Sequence, residues 1–253
     1  MTVHAMECVH RTHVGLVRPH NEDHLASFPG LGIMVLGDGM GGHHAGEVAS
    51  RIAVEAAADE LMSRQEEDWA DELDSLAVAG EAVEAANLAV CAEIDRYPEL
   101  KGMGTTLVLA LFRESHVYFA HVGDSRLYCL RDGQLDQLTR DHSLVQELLD
   151  NGLFGSVAEA HRAGIGDNIL TRSIGLDLNV KIDVGDQQLH PGDLYLMCSD
   201  GLCGRVPDQT IGRIMQQQSD DLDATADALL RAALDAGGRD NISLILGRAK
   251  ETG

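Results

Sequence analysis

The sequence predicts an α+β fold with antiparallel sheets stacked in layers. Three observations point there. Strand-like stretches open the chain, dominate its middle and close it. Helical stretches come in two pairs, one after the opening strands and one before the last strand. The order is therefore not the strict strand–helix alternation of a parallel α/β fold. Length and composition agree: 253 residues, 44% apolar and 24% charged, are ordinary for a globular chain. A chain of this size removes roughly 70–75% of its unfolded surface from water, so its core needs no disulfide staples. One domain over residues 1–253 is expected, with no Pro- or Ser-rich linker and no repeat.

Glu7 to His13 reads as the first strand, and the apolar run within Gly32 to Gly37 as the second. Val48, Ile52, Val54, Ala58 and Leu61 then recur at helical spacing from about Gly46. A longer, Ala-rich helix is expected from about Trp69 to Arg96, stopped by Pro98. The acidic stretch Asp59 to Glu84 reads as a solvated helix face. Thr105 to Phe112, His116 to Val122 and Leu127 to Leu130 read as strands, and Arg131-Asp132-Gly133 as a hairpin turn into Gln134 to Leu138. Ser143 to Leu149 is a short helix ended by Asn151-Gly152. Phe154 to Asp167 shows no strong period and reads as an irregular, mobile excursion. Val180 to Leu189 and Asp193 to Met197 are strands. Helices over about Asp208 to Gln217 and Asp223 to Ala236 precede the last strand, Ile242 to Leu246.

Charge narrows the function. Forty-one acidic against nineteen basic side chains give a net charge of −22. That field repels nucleic-acid backbones and anionic lipid, so neither is an expected partner. An anionic substrate would need a local reversal of sign, for which bound metal is the natural source. Cys8, Cys91, Cys129, Cys198 and Cys203 form no CxxC pair, which argues against a disulfide framework or zinc ribbon and for a reducing, cytoplasmic setting. No signal peptide is legible in Met1 to His13, and no run approaches the ~20 apolar residues of a membrane helix.

Chemistry concentrates in acidic turns at strand ends. They are Gly37-Asp38-Gly39-Met40-Gly41-Gly42, Val122-Gly123-Asp124-Ser125-Arg126, Cys198-Ser199-Asp200-Gly201 and Gly238-Arg239-Asp240-Asn241. Carboxylates and carbonyls without Cys or His are hard oxygen ligands, suited to Mg²⁺ or Mn²⁺ rather than zinc. One Asp-Gly turn alone is more often only a turn; four at strand ends weaken that reading. A fifth element sets Arg18 shortly before Asn21-Glu22-Asp23. It is either an exposed loop with a surface ion pair or a guanidinium for phosphate beside a metal-holding Glu.

These motifs, with Gly102-Met103-Gly104-Thr105-Thr106 and Thr139-Arg140-Asp141-His142-Ser143, resemble in this order the metal-dependent PP2C (PPM) protein phosphatases. The likeness runs from about residue 7 to residue 248 and is strongest to bacterial, single-domain members. It implies a four-layer αββα sandwich, two antiparallel sheets flanked by helices, with the active site at one end. It implies two or three Mn²⁺ or Mg²⁺ ions held by residues matching Glu22, Asp38, Gly39, Asp124, Asp200 and Asp240. In the family's terms Asp38 bridges two ions, the Gly39 carbonyl binds one, Asp200 and Asp240 bind the other, and Glu22 acts through water. Asp124 and Asp200 would hold a third. Arg18 would bind the substrate phosphate, and about 144–168 would be the flap.

The activity implied is hydrolysis of phosphoserine and phosphothreonine on proteins by a metal-bridging hydroxide. Two ions ~3.5–4 Å apart lower the pKa of the water between them, and Arg18 with the ions neutralises the phosphoryl oxygens. Expected partners are phosphorylated proteins and a Hanks-type Ser/Thr kinase whose work is reversed; a monomer is expected. The cysteines are spectators, and Cys198 reads as a small buried apolar residue. Met40 stands where many eukaryotic members carry a His that is a candidate general acid; His43 and His44 are close in sequence but read as structural or surface residues. Two other functions compete: a hydrolase of small phosphoesters or nucleotides, and a non-catalytic scaffold. The scaffold reading is disfavoured because Asp38, Asp124, Asp200 and Asp240 are all present.

Overall fold

The computed structural model describes residues 6–41, 45–64, 72–113, 115–166 and 169–249. Two sheets, every paired strand antiparallel, stack face to face. The first contains β1 (Met6–His13), β7 (Arg126–Arg131), β8 (Gln134–Gln137), β10 (Leu194–Cys198) and β11 (Ile242–Ala249), in the order β1-β11-β10-β7-β8. The second contains β2 (Asp23–Phe28), β3 (Ile33–Met40), β5 (Leu107–Arg113), β6 (His116–Val122) and β9 (Asp183–Gln188), in the order β2-β3-β5-β6-β9. The two-residue strand β4 (Gly104–Thr105) pairs with the end of β3.

The layers follow from strand periodicity. Successive side chains point to opposite faces, so a strand buried on both sides reads as one apolar run. In β3, Ile33 and Val35 face one core while Met34 and Leu36 face another. In β5, Leu107, Leu109 and Leu111 alternate with Val108, Ala110 and Phe112 in the same way. In β10, Leu194, Leu196 and Cys198 alternate with Tyr195 and Met197. The middle core lies between the sheets, where Phe112 meets Tyr195 edge-on with ring centroids 4.9 Å apart. Such a pair contributes about 0.5–1.5 kcal/mol beyond its buried area.

Helices close both outer faces. In α1 (Ala45–Ser63), Ala49, Ala53, Val54, Ala57, Ala58 and Leu61 are buried at three- and four-residue spacing. With α2 (Glu72–Arg96) it covers the second sheet. Residues Asp74–Arg96 of α2 are long and apolar enough to cross a membrane by length and composition, which the sequence reading had not anticipated. In the fold their Val78, Ala79, Ala82, Val83, Ala86 and Val90 face is buried in the core shared with α1 and the sheet. The first sheet is covered by α6 (Asp208–Gln217) and α7 (Leu222–Asp235). The four-layer αββα arrangement expected from the resemblance is therefore what the chain forms.

Several elements differ from expectation. β2 has no counterpart in the sequence reading, because five of its six residues are half-buried and no alternation shows. β3 runs on through Gly39 and Met40, which pair with Thr105 and Gly104. The expected strand Val180 to Leu189 shortens to Asp183–Gln188. The supposed irregular stretch Phe154 to Asp167 contains a helix, α4 (Val157–Arg162), next to α3 (Leu144–Asp150). Ser156 caps α4 by accepting from Glu159 N–H, and the Glu159 carboxylate reaches back to Gly155 N–H at 2.8 Å. A one-turn helix, α5 (Asp200–Cys203), was also missed. The expected helix start at Trp69, and the residues Gly42, His43 and His44, lie outside the described residues. The Asp132-Gly133 hairpin forms as expected, both residues at positive φ, 51° and 80°.

Candidate active site

Strand order brings the acidic turns together. Asp38 sits near the end of β3, opposite Asp23 of β2 in the register. Asp124 lies in the turn between β6 and β7, and Asp200 opens α5 directly after β10. Asp240 immediately precedes Asn241 and β11. Arg18, Glu22, Asp38, Gly39, Asp124, Asp200 and Asp240, all seven residues singled out from the sequence, line one open cleft of about 490 Å³. Met40, Gly41, Thr106, Ile169, Leu170, Ser173 and Leu176 complete its wall.

Hydrogen bonds fix each member. Asp38 N–H donates to Thr106 Oγ1 at 2.9 Å, and the Asp38 carbonyl accepts from Thr106 N–H and Thr105 Oγ1, both at 2.9 Å. Thr106 Oγ1 in turn pairs with Ser125 Oγ at 2.7 Å, beside Asp124. Asn241 clamps the loop that carries Arg18 and Glu22. Its Oδ1 accepts from Glu22 N–H at 2.8 Å, and its Nδ2 donates to the Val14 and His20 carbonyls at 3.0 and 2.8 Å. Gly39 N–H and Ser50 Oγ donate to the Glu22 carbonyl, tying that loop to β3 and α1. Arg18 Nη2 donates to Asp240 Oδ2 at 2.8 Å, while Asp240 Oδ1 accepts from Asn241 N–H at 2.9 Å.

The electrostatics are those of crowded anions. Burial first, then neighbouring Asp23, Asp200, Asp124 and Asp240, holds the Asp38 carboxyl well above its ordinary range. Burial and then Asp200 push Asp124 up to about 7. Asp200 is raised by burial and then by Asp240, and Glu22 is raised by burial. Arg18 is shifted upward by its bond to Asp240.

Asp23 is the residue whose part the sequence reading missed. In the sequence it stands inside the Asn21-Glu22-Asp23 run, with no local signal of a role. It is buried, accepts from Ser199 Oγ at 2.9 Å, and its Oδ1 has no hydrogen-bond partner. Burial pushes its carboxyl up to about 7. The signal was its position in β2, the strand that went unrecognised. Cys198 is fully buried, as expected of a small apolar residue, and all five cysteines are free thiols.

Half-buried carboxylates gathered at strand ends, with one guanidinium and no thiol or imidazole lining the cleft among the described residues, define a site of the hard-cation class. The sequence matches the family model described as Protein phosphatase 2C over residues 19–241. The chain belongs to that family. It is 38% identical over 236 residues to the serine/threonine protein phosphatase PstP of Mycobacterium tuberculosis, covering 93% of this chain and 43% of that protein. It thus spans less than half the length of that relative. It is 36% identical over 244 residues to the serine/threonine phosphatase stp of Listeria monocytogenes, covering 95% of each. Among solved structures it resembles the catalytic domain of PstP in complex with two manganese ions, with a TM-score of 0.85, 36% identity, and coverage of 97% of this chain and 99% of that one.

Proposed function

We propose that this chain removes phosphate from phosphoserine and phosphothreonine in proteins, with divalent Mn²⁺ or Mg²⁺ in the cleft. One observation carries the reading: Asp38, Asp124, Asp200, Asp240, Glu22 and Arg18 converge on a single cleft from five separate parts of the chain. The donor set suits the ions. Carboxylates crowded together in a half-buried cleft raise one another's pKa, and Asp23 Oδ1 behind them lacks any partner. Such a cluster is relieved by a cation of high charge. The homologues support the same reading, since PstP and stp are named serine/threonine phosphatases and the PstP structure contains manganese.

Asp38 would hold two ions, with the Gly39 carbonyl on one and Asp200 and Asp240 on the other. Glu22 would act through water, and Asp124 with Asp200 would hold a third ion. When bound, the ions supply an acidified water for in-line attack on phosphorus and neutralise the phosphoryl oxygens. Thr105 and Thr106 keep the Asp38 backbone in place through the bonds given above, so the point from which its carboxylate enters the cleft is set before any ion binds. Arg18 presents a half-exposed guanidinium at the cleft and would take the phosphate dianion in bidentate fashion. Met40 has no proton to give, so the leaving alcohol would take its proton from another group, a water in the cleft included. The free thiols fit a cytoplasmic setting. The expected partners are phosphorylated proteins and the Ser/Thr kinase that modifies them, with the chain acting as a monomer.

Hydrolysis of a phosphothreonine peptide in excess EDTA, then after Mn²⁺ is restored, tests this. Activity should vanish and return, and Asp38→Asn should stay inactive while keeping its melting transition. Full turnover in EDTA, or a nucleotide turned over faster than the peptide, would sink the proposal.

A further inference from the structure

Next to the Asp124 turn, the rings of His121 and His142 stack with centroids 4.6 Å apart. His142 Nε2 lies 3.1 Å from Asp183 Oδ2. One ligand-type atom from each of His121, His142 and Asp183 falls within 4.8 Å of the others, a spacing that would admit a metal ion. The hydrogen bonds argue against one. Gly123 N–H donates to His142 Nδ1 at 3.1 Å, so that nitrogen bears the lone pair. The proton then sits on Nε2 and goes to Asp183. Arg172 Nη1, 3.0 Å from Nε2, cannot donate to a nitrogen that carries a proton; it donates to Asp183 Oδ1 at 2.7 Å. Its guanidinium already supplies the positive charge that a metal would bring. His121 Nε2 faces the Arg140 carbonyl at 2.8 Å, leaving its Nδ1 as the one free lone pair of the two rings.

The trio makes better sense as a support. His142 is clasped to Gly123 twice: its Nδ1 accepts from Gly123 N–H, and its own N–H donates to Gly123 O at 2.9 Å. Gly123 stands at φ +107°, and a Cβ there would come within 2.6 Å of Thr106 Cγ2. The turn thus has a backbone shape open to glycine, and these two bonds hold it. Asp124 is the next residue and faces the cleft. The His142 carbonyl accepts from Thr171 N–H at 2.9 Å, which ties the cleft-lining stretch Ile169 to Ser173 to the same point. Burial and then the stacked His121 lower the His142 pKa to about 4, so the ring stays neutral at neutral pH.

We infer that His142 is a positioning residue for Asp124: oriented by Asp183 through Nε2–H, it holds the Gly123 amide through Nδ1 and so sets where the Asp124 carboxylate enters the cleft. This rests on Asp124 being a metal ligand, as proposed above. Groups that orient a ligand typically cost ~10–100-fold in metal affinity when removed.

Calorimetric Mn²⁺ titration of the whole chain tests it, alongside melting in EDTA. The proteins are wild type, Asp124→Asn, His142→Leu, His142→Asn and the double variant Asp124→Asn/His142→Leu. Asn can place an amide oxygen where Nδ1 was and still accept from Gly123; Leu cannot. His142→Leu should weaken, by about ten-fold, the binding event that Asp124→Asn weakens. His142→Asn should recover most of that loss, and the double variant should lose no more than Asp124→Asn alone, because both act through one carboxylate. Wild-type binding by His142→Leu beside a weakened Asp124→Asn would overturn the inference and leave the Asp124 assignment standing. Additive losses in the double variant would also overturn it. Wild-type binding by Asp124→Asn would instead remove the Asp124 assignment, and the inference with it. If His142→Leu shows no melting transition, His142→Gln replaces it, since its amide reaches toward the place of Nε2 rather than Nδ1. Equal affinities for the Asn and Gln variants would then overturn the inference.

Discussion

Arg18 is anchored and reachable at once. It donates to Asp240 at 2.8 Å with 52% of its side chain exposed, so on the proposed function an arriving phosphate would meet a guanidinium already held at the cleft. Arg18→Ala should therefore raise KM for a phosphopeptide more than it lowers kcat, because a contact made in the ground state appears in KM. Charge-assisted hydrogen bonds contribute about 1.5–3 kcal/mol each, which sets the expected loss in kcat/KM at about ten-fold or more. Mn²⁺ affinity should hold or tighten, since the variant removes a competing cation from Asp240. Steady-state kinetics with a metal titration checks both, and a collapsed kcat at unchanged KM would move Arg18 out of substrate binding. At this scale the sequence was informative, because each acidic turn carries a local signal: Asp38, Asp124 and Asp200 stand beside Gly after an apolar run, and Asp240 stands two residues after Gly238, just before the last strand. Asp23 carried no such signal: its meaning depends on facing Asp38 across a strand pair.

Elements constrain the site through close approach. The start of α5 rests on the start of β11 so tightly that a Cβ on Gly201 would fall on the Asn241 carbonyl oxygen. Gly201→Ala should cost about 1–3 kcal/mol, the usual range for overpacking. It should also lower kcat, because Asp200 and Asn241 must shift apart to admit the methyl group. Urea unfolding in EDTA and turnover at saturating Mn²⁺ report the two effects; unchanged values for both would mean that the contact yields easily. Long elements were legible, α1 from its helical period and β5 from its continuous apolar run. α4 was not, because six residues give too few turns for a period. Its usable signal was Ser156 followed three residues later by Glu159, a capping pattern rather than a hydrophobic one.

Across the whole molecule, buried acids couple the site to stability. A carboxyl whose folded pKa lies above its unfolded value binds its proton more tightly in the folded state. Its contribution is complete below about pH 3.8 and is lost as pH rises through about 7, the range for Asp23 and Asp124. Metal-free protein should thus melt lower at pH 7.5 than at pH 5, by on the order of 5 °C or more for a chain of this size. Excess Mn²⁺ should flatten or reverse that slope by neutralising the same groups, and Asp124→Asn should reduce it in EDTA. Thermal melts across pH with and without Mn²⁺ decide this; a metal-free Tm that rises steadily with pH would contradict the acid cluster. Convergence itself was not legible from spacing. It depends on strand order, which sets β11 between β1 and β10 although β11 comes last in sequence.

The same strand order has a consequence in time. β11 fills an interior place in its sheet, and Asp240 and Asn241 arrive just ahead of it. The Arg18–Asp240 pair spans 222 positions, and such distant partners form late and slowly. During synthesis, a ribosome-bound chain that has not yet released residues 240–249 has neither the clamp on the Arg18 loop nor the strand between β1 and β10. On the function proposed above, hydrolysis would therefore wait until residues 240–249 have left the ribosome, and a shorter nascent chain would be unable to act on phosphoproteins around it.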